Sequence, residues 1–241
     1  MSTHPRAARP AGAIARRLFG PEVAVAEVDP REVDPARVLL EPEQAAVARA
    51  IESRRQQYAA GRLCARDAMR SLAIAEGAVT VGEDRAPCFP EGLVGTITHT
   101  QWWCAAAVAL GRTHRALGVD VEPDTPLKAS LFSSVLTPDE EAQLATYDEP
   151  LRGLLGKLVF SAKECAYKCQ YTLTRTFYGF HGMRVELPEE LRAFPDEGEF
   201  RAVFLRDAGD FRPGDVLAGR FVRAEGYLMT GVELAQESRD A

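Results

Sequence analysis

The spacing of apolar residues predicts a helical region early in the chain. From Glu41 to about Ala75, apolar residues recur at the intervals that are typical of a helix with one buried face. Gly61 interrupts this pattern, so two helices or one kinked helix both fit it. The predicted buried positions are Val47, Ile51, Tyr58, Leu63, Met69 and Leu72.

Short runs of strand length follow a loop that is rich in proline and glycine. The loop is VGEDRAPCFPEG at 81–92, and the runs are LVGTITHT at 93–100, CAAAVALG at 104–111 and ALGVDVE at 116–122. Apolar or alternating runs of this length between turn residues are typical of strands. The sequence therefore predicts a meander of strands here.

A capped helix and a second long helix come next. Thr137 caps a predicted helix that has Pro138 at its first position, and another helical pattern runs from about 150 to 171. The chain then returns to strands at EFRAVFLRD (199–207), VLAGRFVRA (216–224) and GYLMTGVEL (226–234). A short turn at 225–226 joins the last two of these strands.

Helices followed by a sheet thus occur twice, which predicts an α+β fold with two similar-sized, pseudo-symmetric halves. Each half is expected to be a small, mostly antiparallel sheet packed with helices, with the functional cleft at the junction. The predicted division is a flexible N-terminal tail at 1–18, an N-terminal half at 19–118, a C-terminal half at 119–235 and a frayed tail at 236–241.

Composition and charge narrow the classes of function. Hydrophobic residues make up 46% and charged residues 27% of the 241 residues, and the formal net charge is −6. No run reaches the roughly 18 to 20 apolar residues that a membrane span needs, and an acidic chain lacks the basic footprint of a nucleic-acid binder. We therefore expect neither a membrane nor a nucleic acid as partner.

The cysteines and the N-terminal residues indicate a reducing compartment. The five cysteines are odd in number, contain no CxxC pair and have no histidine at zinc-finger spacing. Neither a zinc site nor a disulfide framework is therefore expected. AGAIARRLFG is too short and too rich in arginine for a secretory signal, so the cytoplasm is the expected location.

Charged residues on one predicted strand and one predicted helix suggest a site. Asp120 and Glu122 project to the same face of the strand. Glu164 and Lys168 share a helix face, from which Lys163 is rotated by about 100°. Each pair alone fits an ordinary solvated surface. Facing each other, the three acids would offer Mg²⁺ an oxygen-rich shell with positions left for phosphate oxygens.

These residues lie in a recognisable pattern. GVDVE at 118–122, followed by FSAKECAYK at 160–168, resembles the two-part signature of the 4'-phosphopantetheinyl transferase superfamily. The segments at 86–109 and 54–69 resemble the proline-rich loop and the arginine-rich helix of its siderophore- and surfactin-type (Sfp-like) class. Thr98, Phe160 and Cys165 stand where other residues are commoner in the family.

The resemblance implies an activity. Such an enzyme transfers the 4'-phosphopantetheine arm of coenzyme A to a serine hydroxyl of an apo acyl or peptidyl carrier protein and releases adenosine 3',5'-bisphosphate. This reaction activates polyketide, nonribosomal peptide, siderophore or fatty-acid synthases. The resemblance also implies a monomer that uses Mg²⁺, bound by Asp120, Glu122 and Glu164.

The resemblance further implies roles for individual residues. Glu164 is expected to be the base toward the carrier serine, directly or through water, in a role shared or disputed with Glu122. Lys168 is expected to contact the phosphates, and Lys163 is placed with the coenzyme A contacts by its position in the motif. His99, with Thr98 before it, is expected to contact a phosphate rather than to serve as a core histidine.

Arginines supply further candidate contacts to coenzyme A. On an unbroken helix, Arg55, Arg62 and Arg66 would fall within about 40° of one another and form a basic stripe suited to the 3'-phosphate. The resemblance favours Arg54 and Arg62 instead, so all four are candidates. Arg85 matches the region where the family has a basic residue that touches the nucleotide.

Two alternatives remain open to the sequence. A non-catalytic module that binds coenzyme A or a nucleotide would explain the phosphate-binding residues, but the complete set of three acids argues for catalysis. A metal-dependent phosphodiesterase acting on nucleic acid would use the same acids, and the acidic charge balance argues against it.

Overall fold

The computed structural model describes residues 14–188 and 194–236 as a mixed α+β protein, as predicted. Its helices are α1 (Pro35–Val38), α2 (Glu41–Gln44), α3 (Glu52–Ser71), α4 (Phe132–Val135), α5 (Pro138–Leu144) and α6 (Leu151–Thr174). Its strands are β1 (Ala24–Val28), β2 (Thr80–Val81), β3 (Pro87–Cys88), β4 (Leu93–His99), β5 (Cys104–Leu110), β6 (His114–Pro123), β7 (Met183–Glu186), β8 (Glu197–Phe204), β9 (Val216–Ala224) and β10 (Tyr227–Ala235). Within these ranges, no helix combines the length and apolar character that crossing a bilayer needs.

Helix α3 packs on a small sheet in the first half. The sheet has the order β1-β5-β4, and its neighbouring strands are antiparallel. The buried face of α3 is lined by small residues, and Ala59, Ala60 and Ala65 have no exposed surface. Of the two alternatives for this region, a division into two helices at Gly61 is wrong, because α3 continues through it. A Cβ at Gly61 would lie 2.8 Å from the Ile97 side chain, so this glycine lets α3 lie close to β4.

Strand β5 is apolar along its length because both of its faces are buried. One face contributes Cys104, Ala106 and Val108 to the core under α3. The other face contributes alanines to a separate core that includes Val119 and Val121 of β6. This separate core joins the two halves, so β5 and β6 form their junction.

The second half is a five-stranded antiparallel sheet with α6 across one face. Its order is β6-β10-β9-β8-β7, so β6 lies at the edge of the sheet. Helix α6 crosses β6 closely: a Cβ on Gly118 would lie only 2.1 Å from the carbonyl oxygen of Cys165. Glycine at 118 therefore allows the polar face of α6 to reach the acids of β6.

Replacing Gly118 by alanine is expected to lower the free energy of unfolding by about 2 to 3 kcal/mol, because the new methyl group overlaps a helix backbone that is packed on both sides. Chemical denaturation measures this change. Gly179→Ala is the matched control, since a Cβ at Gly179 meets no atom within 4 Å. Equal stability of the two variants would contradict the close approach of α6 to β6.

The N-terminal boundary differs from the prediction. Residues 14–18, assigned to the flexible tail, form a 3₁₀ turn in which Leu18 is 2% exposed. The turn therefore belongs to the folded protein, because its apolar side chains join the core at the junction. Residues 1–13 and the C-terminal residues 237–241 lie outside the described part of the chain.

The division between the halves also falls at another place. The predicted boundary at 118/119 lies inside β6, which pairs with β10 from His114 to Pro123. A boundary before His114 agrees better with the two sheets. Four strands were not predicted from the sequence: β1 and β7 lie at the ends of these sheets, and β2 and β3 pair with each other in the segment predicted as a loop.

Candidate active site

One face of α6 carries a row of polar side chains. Lys157, Ser161, Glu164 and Lys168 follow one another at intervals of four, three and four positions, so they lie within about 60° of one another around the helix axis. Three of the four side chains hydrogen-bond to carboxylates of β6. The predicted acid–base face of this helix is therefore aimed at the predicted acid pair.

Asp120 lies at the centre of these contacts and is 5% exposed. Its Oδ1 accepts hydrogen bonds from Lys168 Nζ at 2.7 Å and from Thr98 Oγ1 at 3.3 Å, and its Oδ2 accepts one from Ser161 Oγ at 2.8 Å. Burial lowers the pKa of Lys168, but the charge and hydrogen bond of Asp120 outweigh it and raise the pKa overall. Lys168 therefore stays a cation beside the buried carboxylate.

The other two acids experience unbalanced negative charge. Glu122 accepts a hydrogen bond from Lys157 Nζ at 2.9 Å, yet burial raises its pKa, with a further rise from the charge of Asp120. Burial also raises the pKa of Glu164, which Lys168 lowers and the two β6 acids raise further. Among the described residues, no side chain forms a hydrogen bond or an ion pair with Glu164. The three acids therefore lie close enough to repel one another.

The three predicted metal ligands are not arranged as a pre-formed metal shell in the described structure. Within 14–188 and 194–236, no three carboxylate, imidazole or thiol groups are arranged to hold a metal ion. Lysine ammonium groups occupy oxygens of Asp120 and Glu122 instead. The chemistry of the donor set still fits a hard divalent cation, because buried carboxylates with raised pKa values are stabilised by added positive charge.

His99 ends β4 beside this cluster and contacts Arg54 of α3. Arg54 Nη1 donates a hydrogen bond to His99 Nε2 at 2.8 Å, which places the ring hydrogen on Nδ1. His99 Nδ1 is buried and has no hydrogen-bond partner among the described residues. Burial, followed by the charges of Arg54 and Lys168, lowers the pKa of His99 to about 4. The site thus holds a neutral imidazole with an unused donor.

The arginines of α3 do not form the predicted basic stripe, because their side chains have different surroundings. Arg66 is buried against Glu43, with 2.9 Å between Nη1 and Oε1, and also bonds the Val38 carbonyl. Its assignment to coenzyme A is therefore wrong. Arg62 donates from Nε to the Val79 carbonyl and stacks on the ring of Tyr58. These backbone and ring contacts fix the position of Arg62.

The remaining arginines are placed differently. Arg55 is partly exposed, and its Nε atom is buried without a hydrogen-bond partner in the described structure. Arg85 is exposed in the β2–β3 loop and has a φ of +67°. Its neighbour Asp84 bonds Arg175 at the end of α6 at 2.8 Å, which ties this loop to the second half. Contacts of Arg55 and Arg85 with coenzyme A stay predictions.

Lys163 points away from the acids of β6. Its Nζ lies 2.6 Å from Glu140 Oε2 and 2.8 Å from the Val135 carbonyl, and both side chains of this ion pair are 2% exposed. Glu140 also accepts hydrogen bonds from the backbone N–H groups of Thr137 and Val185. The prediction that Lys163 contacts coenzyme A is therefore wrong, because its ammonium group links α6 to α5 instead.

An apolar pocket opens beside Glu164. Its volume is about 160 Å³. The residues that line it include Glu164, Tyr167, Phe177, Tyr178, Phe180 and Met183. Phe177 at its edge is 79% exposed. An acid without a hydrogen-bonded partner thus borders an apolar cavity.

Sequence reasoning missed several residues that contact the acids. Lys157 and Ser161 precede Glu164 by seven and three positions, so helical spacing alone places them on its face. Thr230 of β10 accepts or donates a hydrogen bond with Ser161 Oγ at 2.9 Å. No local pattern reveals Thr230, since β10 reaches the site only through its pairing with β6.

Comparison with known proteins decides the family. The chain is 34% identical over 212 residues to the 4'-phosphopantetheinyl transferase Svp of Streptomyces mobaraensis, an alignment that covers 84% of this chain and 81% of that protein. The chain belongs to the 4'-phosphopantetheinyl transferase superfamily. A model of the 4'-phosphopantetheinyl transferase N-terminal domain matches residues 42–109, and a model of the 4'-phosphopantetheinyl transferase superfamily matches residues 116–212.

Other transferases of this family are similar over most of their length. The transferase Npt of Nocardia iowensis is 34% identical, and the alignment covers 80% of this chain and 88% of Npt. The transferase PptT of Mycobacterium tuberculosis is 28% identical, with 83% of this chain and 88% of PptT covered. The chain is therefore an enzyme that transfers the phosphopantetheine group of coenzyme A to carrier proteins.

Proposed function

We propose that this phosphopantetheinyl transferase uses Glu164 as the general base toward the carrier serine. The observation that carries this role is the state of Glu164: it is partly buried, has no hydrogen-bonded cation or donor among the described residues, and borders an open pocket. Asp120 and Glu122 each hold a lysine ammonium group and are less available as bases. A base must reach the proton that it removes, and Glu164 is the acid placed to do so.

The transfer balances as a displacement at phosphorus. Glu164 takes the proton of the carrier serine, and the serine oxygen bonds to the phosphorus that bears the pantetheine arm. The bond from that phosphorus to the bridging oxygen breaks, and adenosine 3',5'-bisphosphate leaves. Lys168, a cation one helical turn from Glu164, offsets the charge that develops on the phosphate oxygens.

A magnesium ion completes this proposal. Asp120, Glu122 and Glu164 would hold it, because their carboxylates are the oxygen ligands that Mg²⁺ prefers. When bound, the ion supplies positive charge against the pyrophosphate oxygens. The dependence of turnover on the metal is tested by measuring the release of adenosine 3',5'-bisphosphate by chromatography, with and without EDTA. Full turnover in EDTA would overturn the role of the metal and leave the transfer itself in place.

The phosphates of coenzyme A are proposed to lie between the two halves. Arg54 is exposed beside His99, and His99 offers the buried Nδ1–H without a partner. Thr98, the residue before His99, donates a hydrogen bond from its Oγ1 to Asp120 Oδ1. These donors, with Lys168, favour the binding of phosphate oxygens at the end of β4.

Binding of coenzyme A at about pH 5.5 is expected to be accompanied by proton uptake at His99, because nearby phosphate raises the pKa of a ring that is otherwise neutral. Protons are taken up only at pH values between the pKa of His99 in the free enzyme, about 4, and its higher pKa in the complex. The uptake therefore fades toward alkaline pH. Calorimetry in buffers of different ionisation enthalpy measures it. His99→Gln removes this component, and an unchanged uptake in that variant would contradict the phosphate contact.

The carrier protein is proposed to approach over the pocket beside Glu164. The exposed ring of Phe177 and the apolar wall of the pocket suit a carrier segment or the pantetheine arm next to the base. One chain contains both halves of the junction, which favours action as a monomer. Carriers of polyketide, nonribosomal peptide, siderophore or fatty-acid synthases in the cytoplasm are the proposed substrates.

A further inference from the structure

Lys157 is the cation of the site that the proposed transfer does not use. Its Nζ lies 2.9 Å from Glu122 Oε2, and the two side chains are 12% and 26% exposed. Its ammonium group is 5.6 Å from the centre of the Phe160 ring. The Lys157–Glu122 pair is therefore a partly buried ion pair and not an exposed surface pair.

The pair repeats the arrangement of Lys168 on Asp120. Each acid of β6 thus has one lysine ammonium group from α6 on one of its oxygens, at 2.9 Å for Glu122 and 2.7 Å for Asp120. Glu164, between the two lysines on the helix, has no such partner. The local charges are then three carboxylates against two ammonium groups, which leaves one net negative charge before any ligand arrives.

Lys168 is also proposed to contact the phosphates. Lys157 lies about three helical turns before it, and in the described structure its one hydrogen bond is to Glu122. A unit positive charge beside one carboxylate oxygen repels a divalent cation that uses the same carboxylate. The positive charge of Lys157 also lowers the free-energy cost of burying the Glu122 carboxylate when no divalent cation is bound.

We propose that Lys157 is a built-in counter-ion that competes with the divalent cation for Glu122. It holds the acid in place in the metal-free enzyme and weakens metal binding there. The metal then enters with coenzyme A, whose phosphates supply the missing negative charge, rather than residing in the free enzyme. This inference rests on the proposed magnesium site.

The test is the affinity of the free enzyme for Mn²⁺, measured from the electron paramagnetic resonance signal of the unbound ion. Lys157→Met is expected to bind Mn²⁺ about tenfold more tightly than wild type, because one neighbouring positive charge is removed. Lys128→Met is the matched control, since Lys128 is exposed and forms no hydrogen bond or ion pair with the three acids in the described structure. It is expected to bind Mn²⁺ as wild type does.

A double variant separates competition at Glu122 from a general effect of charge. In a Glu122→Gln background, Lys157→Met is expected to change the Mn²⁺ affinity by less than about twofold, since the shared ligand is gone. Equal or weaker binding by Lys157→Met, with Mn²⁺ bound normally by wild type and control, overturns the inference and leaves the metal site standing. Absence of Mn²⁺ binding by every variant, with coenzyme A present, overturns the metal site itself.

Discussion

Replacing Glu164 by glutamine is expected to lower turnover about a thousandfold, within the range that a positioned general base contributes. Glutamine keeps the size of the side chain but cannot accept the serine proton. Glu164 donates no structural hydrogen bond and holds no ion pair among the described residues, so the variant should fold as wild type does. Turnover is measured as release of adenosine 3',5'-bisphosphate at saturating coenzyme A and carrier.

The matched control for this variant is Glu91→Gln, at an exposed position in the loop before β4. It is expected to keep wild-type turnover. Binding of coenzyme A by Glu164→Gln, measured by calorimetry without metal, should also stay within about threefold of wild type, because the phosphates are held by other residues. A Glu164→Gln enzyme with more than a tenth of wild-type turnover would contradict the assignment of the base.

Replacing Lys163 by methionine is expected to lower the free energy of unfolding by about 3 to 5 kcal/mol, the usual cost of leaving one partner of a buried ion pair alone. Glu140 would keep its backbone N–H donors but lose the ammonium group at 2.6 Å. Denaturation by urea measures the change. The folded variant should bind coenzyme A within about twofold of wild type, since Lys163 points away from the site.

A double variant tests whether the charge pair is the cause. Lys163→Met/Glu140→Met removes both charges, so its loss of stability should be smaller than the sum of the losses of the two single variants. An additive result would show that the two groups do not interact. Unchanged stability of Lys163→Met together with a large loss of coenzyme A affinity would return Lys163 to the binding site.

Periodicity predicted the long elements well because each has one buried face or two. Helices α3 and α6, strands β4, β5 and β6 and the last three strands all lie close to where the pattern placed them. The predicted meander is wrong, because β6 pairs with β10 of the other sheet rather than with β5. Strands β1 and β7, of five and four residues, are too short to carry a period and depend on their pairing with β5 and β8. Ile51 was predicted to be buried and is 74% exposed, because it precedes the first turn of α3 and lies off its packed face.

The relative placement of the site residues was predictable where spacing along one strand or helix decides the direction in which the side chains project. Strand alternation placed Asp120 and Glu122 together, and helical spacing placed Glu164 with Lys168. Spacing cannot say which face of a helix meets which neighbour, so Arg66 was assigned to a ligand and is instead paired with Glu43, 23 positions away. The ion pair of Lys163 with Glu140 was missed for the same reason, since its partner comes from another helix.

The most direct test of the account is the intact mass of an apo carrier protein after incubation with coenzyme A, Mg²⁺ and the enzyme. We expect the mass of the carrier to rise by one phosphopantetheine group with wild-type enzyme. Glu164→Gln or EDTA should abolish the gain over the same time. An unmodified carrier from each of several synthase classes, with coenzyme A still bound by the enzyme, would contradict transfer at this site.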